Sequence, residues 1–119
     1  MKEDKLNKDE TALSVDLSEA TEAVKDSRFE DALNLLKITL KDHPENIDCL
    51  YLAAVSTRYL KEFDDSKKYI EQLLLNAPDM GRAYQELGHL NRDIGNEEKA
   101  VLHYRQACEL NPALLASWN

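Results

Sequence analysis

The sequence predicts an all-α solenoid of three helix pairs, followed by the start of a seventh helix. Three observations carry this reading. The three prolines, Pro44, Pro78 and Pro112, are spaced by 34 residues twice over, and a fixed period of that size marks a repeated supersecondary unit. Residue size recurs with the prolines: Ala20, Ala54 and Gly88 are small, as are Ala32, Ser66 and Ala100, while Leu36, Ile70 and Tyr104 are large. Finally, 3 glycines and 3 prolines in 119 residues leave too few turns for an all-β fold. The frames are 13–46, 47–80 and 81–114, with no insertion or deletion. Residues 115–119 open a fourth frame, and the charged stretch 1–11 is expected to be flexible, leaving 12–119 as the repeat domain.

Each frame divides into an outgoing and a returning helix. In the first, Leu13, Leu17, Ala20 and Val24 form one apolar stripe, and Phe29, Ala32, Leu33, Leu36 and Leu40 form the other. In the second, Asn46 is placed to cap a helix packed through Leu50, Ala53 and Ala54, and Phe63, Ser66, Ile70 and Leu73 line its return. In the third, Asp79 is the expected N-cap of a helix carrying Tyr84, Leu87 and Gly88. Gly95 supplies a left-handed stop. Asn96 then caps the last helix, with Glu97 and Glu98 in the first turn, where the helix dipole favours acids. Its stripe is Ala100, Val101, Tyr104, Ala107 and Cys108. Small positions let paired helices approach closely, and large ones fill the space between pairs. One pair cannot cover its own apolar face, so pairs stack.

Composition excludes several function classes. The chain is 43% hydrophobic and 32% charged, as expected of a globular protein, and a chain this long needs no disulfide or metal to fold. A net charge of −8 disfavours general binding to nucleic acid or anionic membranes. There is no apolar run of membrane-spanning length and no signal peptide in the polar start MKEDKLNKDE. Cys49 and Cys108 form no C-x-x-C and are read as small buried hydrophobes in a reducing, cytoplasmic setting. Gly81, Gly88 and Gly95 each serve a helix start, a packing contact or a stop, so no phosphate loop exists. His43, His89 and His103 lack metal-ligand spacing. No nucleophile has an evident base. The chain is therefore expected to be no enzyme and to carry no cofactor.

At this point the sequence resembles the tetratricopeptide repeat (TPR) family. The pattern stands as Tyr84, Leu87, Gly88, Ala100, Tyr104, Ala107 and Pro112, and again as Leu50, Ala53, Ala54, Ser66, Ile70, Leu73 and Pro78. The resemblance implies a right-handed α-α superhelix. The first frame departs from the pattern: Asp16 and Glu19 stand where bulky apolar residues belong, and its first helix reads either as a polar cap or as a divergent helix.

The resemblance also implies a concave groove lined by the first helix of each pair, and binding of a peptide or protein segment there. By family position the groove residues are Tyr51, Val55, Arg58, Tyr59, Arg82, Gln85, His89 and Arg92, with Asp48 and Asp93 among them and Ser14, Leu17, Thr21, Val24 and Lys25 from the first helix. Arginine forks pair with carboxylates and tyrosines give rigid contact area, so the expected partner is acidic or ends in a free carboxylate. The competing expectation is that the arginines pair with Asp48, Glu86 and Asp93. The clamp by which some family members hold acidic chaperone tails is matched only at Arg82; Leu17, Thr21, Leu52 and Glu86 occupy its other places.

Two further expectations concern the C-terminal end. Residues 82–118 look like repeats found ahead of bacterial sulfotransferase-type domains, which implies a docking or regulatory module of a larger enzyme. Trp118 lies 34 residues after Tyr84 and no polar closing helix follows. Either the natural chain continues past Asn119, or Leu114, Leu115 and Trp118 pack on the last pair or on a second copy as a weak homodimer.

Overall fold

The computed structural model describes residues 17–114. The expectations for 1–16 and 115–119, including Leu13, Asp16, Leu115 and Trp118, lie outside the described residues. Among these, six α-helices follow one another: α1 over 17–25, α2 Phe29–Asp42, α3 Ile47–Tyr59, α4 Phe63–Asn76, α5 Gly81–Asp93 and α6 Glu97–Leu110. A 3₁₀ turn, Pro112–Leu114, follows α6. The pairs α1–α2, α3–α4 and α5–α6 stack as an all-α solenoid.

The backbone repeats as strictly as the prolines do. At the tip of each pair one amide reaches back five residues: Arg28 N–H to Ala23 O at 2.7 Å, Glu62 N–H to Thr57 O at 2.8 Å, and Asn96 N–H to Asn91 O at 2.7 Å. This is the Schellman arrangement, which needs a left-handed residue just before the donor. Ser27, Lys61 and Gly95 supply it with φ of 61°, 63° and 88°. The turns between pairs repeat too. Asn46 donates to His43, Met80 to Ala77 and Leu114 to Asn111, at 3.0 to 3.2 Å.

Capping is uneven. The Asn46 side chain accepts from Cys49 N–H at 2.9 Å and that of Asn96 from Lys99 N–H at 3.2 Å. Asp79 does not cap α5. Met80 is the N-cap and makes no side-chain bond, which leaves Asp79 one residue too early. Acids occupy the first turns of α2, α4 and α6, where they complement the helix dipole.

The core runs from pair to pair. Ala20, Ala23, Ala32, Leu33, Leu36, Cys49 and Ala53 join α1, α2 and α3. Leu50, Leu73 and Ala83, with Ala54, Ile70 and Leu90, carry it into the third pair. α1 packs through Ala20 and Ala23, with Leu17 and Val24 only partly buried; Glu19 is exposed. On α6, Ala100, Tyr104 and Ala107 are buried but Val101 is 42% exposed. Val101 therefore lies outside the buried stripe of α6, contrary to expectation.

Helix approach is closest at the small positions. Ser66 Oγ donates across its pair to the Ala54 carbonyl at 2.9 Å. A Cβ on Gly88 would stand 2.7 Å from the Tyr104 ring, closer than side-chain packing permits, so only glycine fits.

The left-handed stops generate a prediction. Lys61 holds a conformation that costs an L-residue about 1 kcal/mol or more relative to glycine. Lys61→Gly is expected to stabilise the chain by about 1 kcal/mol in urea denaturation, and Gly95→Ala to destabilise it by a similar amount. Equal stability of Lys61→Gly and wild type would refute the strain.

Candidate functional site

α3 and α5 lie side by side, and the residues expected in the groove come from their shared face. Their fates differ. Arg58 is only 5% exposed. Its Nε donates to Glu86 Oε2 at 2.9 Å, its Nη2 to Glu86 Oε1 at 3.4 Å, and its Nη1 to Asp93 Oδ2 at 3.0 Å. The guanidinium also lies 4.5 Å over the Tyr59 ring, and Tyr59 stacks on Phe29 with centroids 4.4 Å apart. Burial works against the Arg58 charge, but the hydrogen bond and charge of Glu86, then Asp93, outweigh it and hold its pKa raised. Burial likewise pushes the Glu86 carboxyl up, opposed by Arg58.

Arg58 is therefore not an exposed groove cation, as first expected. It ties the second pair to the third, and the competing expectation of pairing holds for Glu86 and Asp93. A buried ion pair requires a bidentate, hydrogen-bonded geometry to offset desolvation, and the planar fork of arginine supplies it. Glu86 and Asp93 lie seven residues apart, two turns along one face of α5, so both reach the same side chain on α3.

The other expected residues remain closer to solvent. Arg82 and Arg92 are exposed. Arg92 Nη2 approaches Asp93 Oδ1 at 3.4 Å, a surface contact, while Arg82 enters no ion pair among the described residues. Tyr59 is 54% exposed, Tyr51 and Gln85 are half-buried, and Val55 is buried. Tyr51 is held above its usual pKa by burial and by the charge of Glu86. From α1, Leu17, Thr21 and Val24 are half-buried and Lys25 is exposed; Ser14 lies outside the described residues.

His89 is turned inward. Its Nδ1 lies 2.6 Å from the Tyr104 hydroxyl, and the two rings meet edge to face. Burial, then the charges of Arg58 and Arg92, lower its pKa from 6.5 to about 4, so the ring is neutral near pH 7. Leu114 packs toward Gly81 of its own last pair, and the remaining residues expected to self-associate lie outside the described region. Among the described residues no group of His, Cys, Asp and Glu could hold a metal ion, and no helix is long and apolar enough to cross a membrane.

Two predictions follow from this cluster. Arg58→Met leaves Glu86 buried without its partner and is expected to cost about 3 kcal/mol. Adding Glu86→Leu should recover most of that loss in a urea double-mutant cycle, whereas additive costs would show that the pair is not coupled. His89 is depressed in the fold, so the unfolded chain takes up its proton first. Stability should fall as pH drops from 6.5 toward 4, and His89→Gln should flatten that slope relative to wild type in pH-dependent thermal denaturation.

No curated protein sequence matches significantly. The family model described as tetratricopeptide repeat matches residues 81–114. The Arabidopsis OM64 TPR domain superposes with a TM-score of 0.79 at 19% identity, covering 87% of this chain and 86% of that one. The first TPR of Spaghetti (RPAP3), bound to the HSP90 peptide SRMEEVD, gives 0.76 at 18% identity, with coverages of 84% and 79%. MamA of MSR-1 gives 0.74 at 21% identity; the match covers 85% of this chain and spans 58% of the MamA chain. The third helix pair thus matches the tetratricopeptide repeat by sequence, and the described residues have the tetratricopeptide-repeat fold.

Proposed function

We propose that the chain is a protein-interaction module whose concave face, built on α3 and α5, receives an acidic peptide or protein segment. The observation that carries this reading is the pair of exposed arginines, Arg82 and Arg92, at the two ends of α5, beside the half-buried Tyr51 and the exposed Tyr59. The buried Arg58 cannot serve as a third cation without breaking its own ion pairs. It acts instead as the support on which Tyr59 lies. The two arginines are ten residues apart, about 15 Å along the helix axis. An extended segment spans that distance with about five residues, so the segment favoured here carries two carboxylates, or one carboxylate and a free C-terminus, at that separation. The structural likeness to the RPAP3 repeat, which is bound to the acidic peptide SRMEEVD, supports the same reading.

The test uses that peptide, fluorescently labelled, in anisotropy titrations at two salt concentrations, against the chain and its Arg82→Glu/Arg92→Glu variant. Loss of about 2 kcal/mol or more of binding is expected for the variant, the scale of a desolvated anchor, with thermal stability unchanged. Equal binding by both proteins, or no saturable binding of any acidic peptide of this length, would overturn the assignment.

A further inference from the structure

Away from the concave face, the returning helices α2 and α4 leave a cleft between them. It has a volume of about 420 Å³ and is lined by Lys37, Leu40, Lys41, Pro44, Leu50, Tyr69 and Gln72. Its floor is carbon: Leu50 is 1% exposed, and Leu40, Pro44 and the Tyr69 ring surround it. Lys37 and Lys41 line its rim one helical turn apart, on the same face of α2. Among the described residues neither lysine enters an ion pair, although the chain as a whole has a net charge of −8.

The repeat provides an internal control. One period later, 34 residues on, Lys37 and Lys41 correspond to Glu71 and Leu75, while Pro44 and Leu40 correspond to Pro78 and Leu74. Leu40 and the proline belong to the architecture, then, but the two cations do not. Two unpaired cations beside an apolar cleft of small-molecule size form a complementary surface for one kind of ligand. We infer that this cleft binds a small amphipathic carboxylate, with its apolar body over Leu40, Leu50 and Tyr69 and its carboxylate between Lys37 and Lys41. The Tyr69 hydroxyl makes no hydrogen bond among the described residues and is available as a donor. Burial, with Asp65 on its own helix and Glu62 just before it, keeps that phenol protonated. A dianion such as phosphate is disfavoured by a lining that offers it mostly carbon.

The test is an amide-resolved NMR titration of the whole chain with decanoate, run beside decyltrimethylammonium and acetate. Decanoate is expected to give saturable shifts confined to residues 37–44, Leu50, Tyr69 and Gln72. The Lys37→Glu/Lys41→Glu variant, with unchanged thermal stability, should bind about tenfold more weakly or worse. Equal binding of the cationic detergent in the cleft, decanoate shifts centred on the concave face, or an unaffected double variant would each overturn the inference. So would silence with decanoate while an acidic helical peptide saturates the same residues, since that result would make the cleft a protein-docking site. Because none of these residues lies on the concave face, failure here leaves the peptide-binding proposal standing, and the reverse holds too.

Discussion

The distance at which paired helices meet is the constraint from which the rest of the structure follows. Ala20, Ala54 and Gly88 face the large residues of the returning helices, and Ala20 and Ala54 are fully buried. The Ser66 hydroxyl reaches the Ala54 carbonyl directly, and Gly88 leaves no room for a methyl group beneath Tyr104. Contacts this close fix the spacing and crossing of each pair mainly by steric fit, with the Ser66 hydrogen bond added in the second pair. The apolar side chains that remain can then be covered only by the next pair, which makes the stack continuous.

Stacking brings α3 and α5 alongside each other, and the electrostatics of the concave face derive from that neighbourhood. A cation held between two pairs adds little net stability, because its desolvation offsets most of the Coulombic gain, yet removing one partner alone is costly. The arrangement sets the register of α5 against α3 and props Tyr59 against Phe29. It also withdraws one positive charge from solvent, which leaves Arg82 and Arg92, at the two ends of α5, as the exposed arginines of these two helices.

Most of the architecture was legible in the sequence because it rests on period and size. The proline spacing, the small and large positions and the Asn46 and Asn96 caps all reappear in the backbone. What was not legible depends on geometry finer than spacing. Asp79 has the chemistry of a cap but sits one residue early. Val101 has the chemistry of a core residue, but exposure is decided by what packs over α6. Arg58 occupies a groove position by family register, yet Glu86 and Asp93, two turns apart on the adjoining helix, draw it inward. A charge pattern read along one helix does not reveal a partner on another. Ser27 and Lys61 carry no local hint of a left-handed backbone; only the 34-residue period from Gly95 would have disclosed it.

Those two residues have a wider meaning. Three hairpin tips share one backbone shape, yet they are written with serine, lysine and glycine. The shape is imposed by the helices on either side, and the tip residue merely submits to it. Periodicity of structure and periodicity of spelling therefore diverge along this chain. The third pair, where Gly88 and Gly95 both stand, is the stretch that the family pattern matches, while the second pair carries the same hairpin with alanine and lysine in those places. In a solenoid of this kind the vocabulary can drift away from the motif wherever neighbouring helices are strong enough to hold an unfavourable residue in place. A repeat can then persist in space after it has faded from the text.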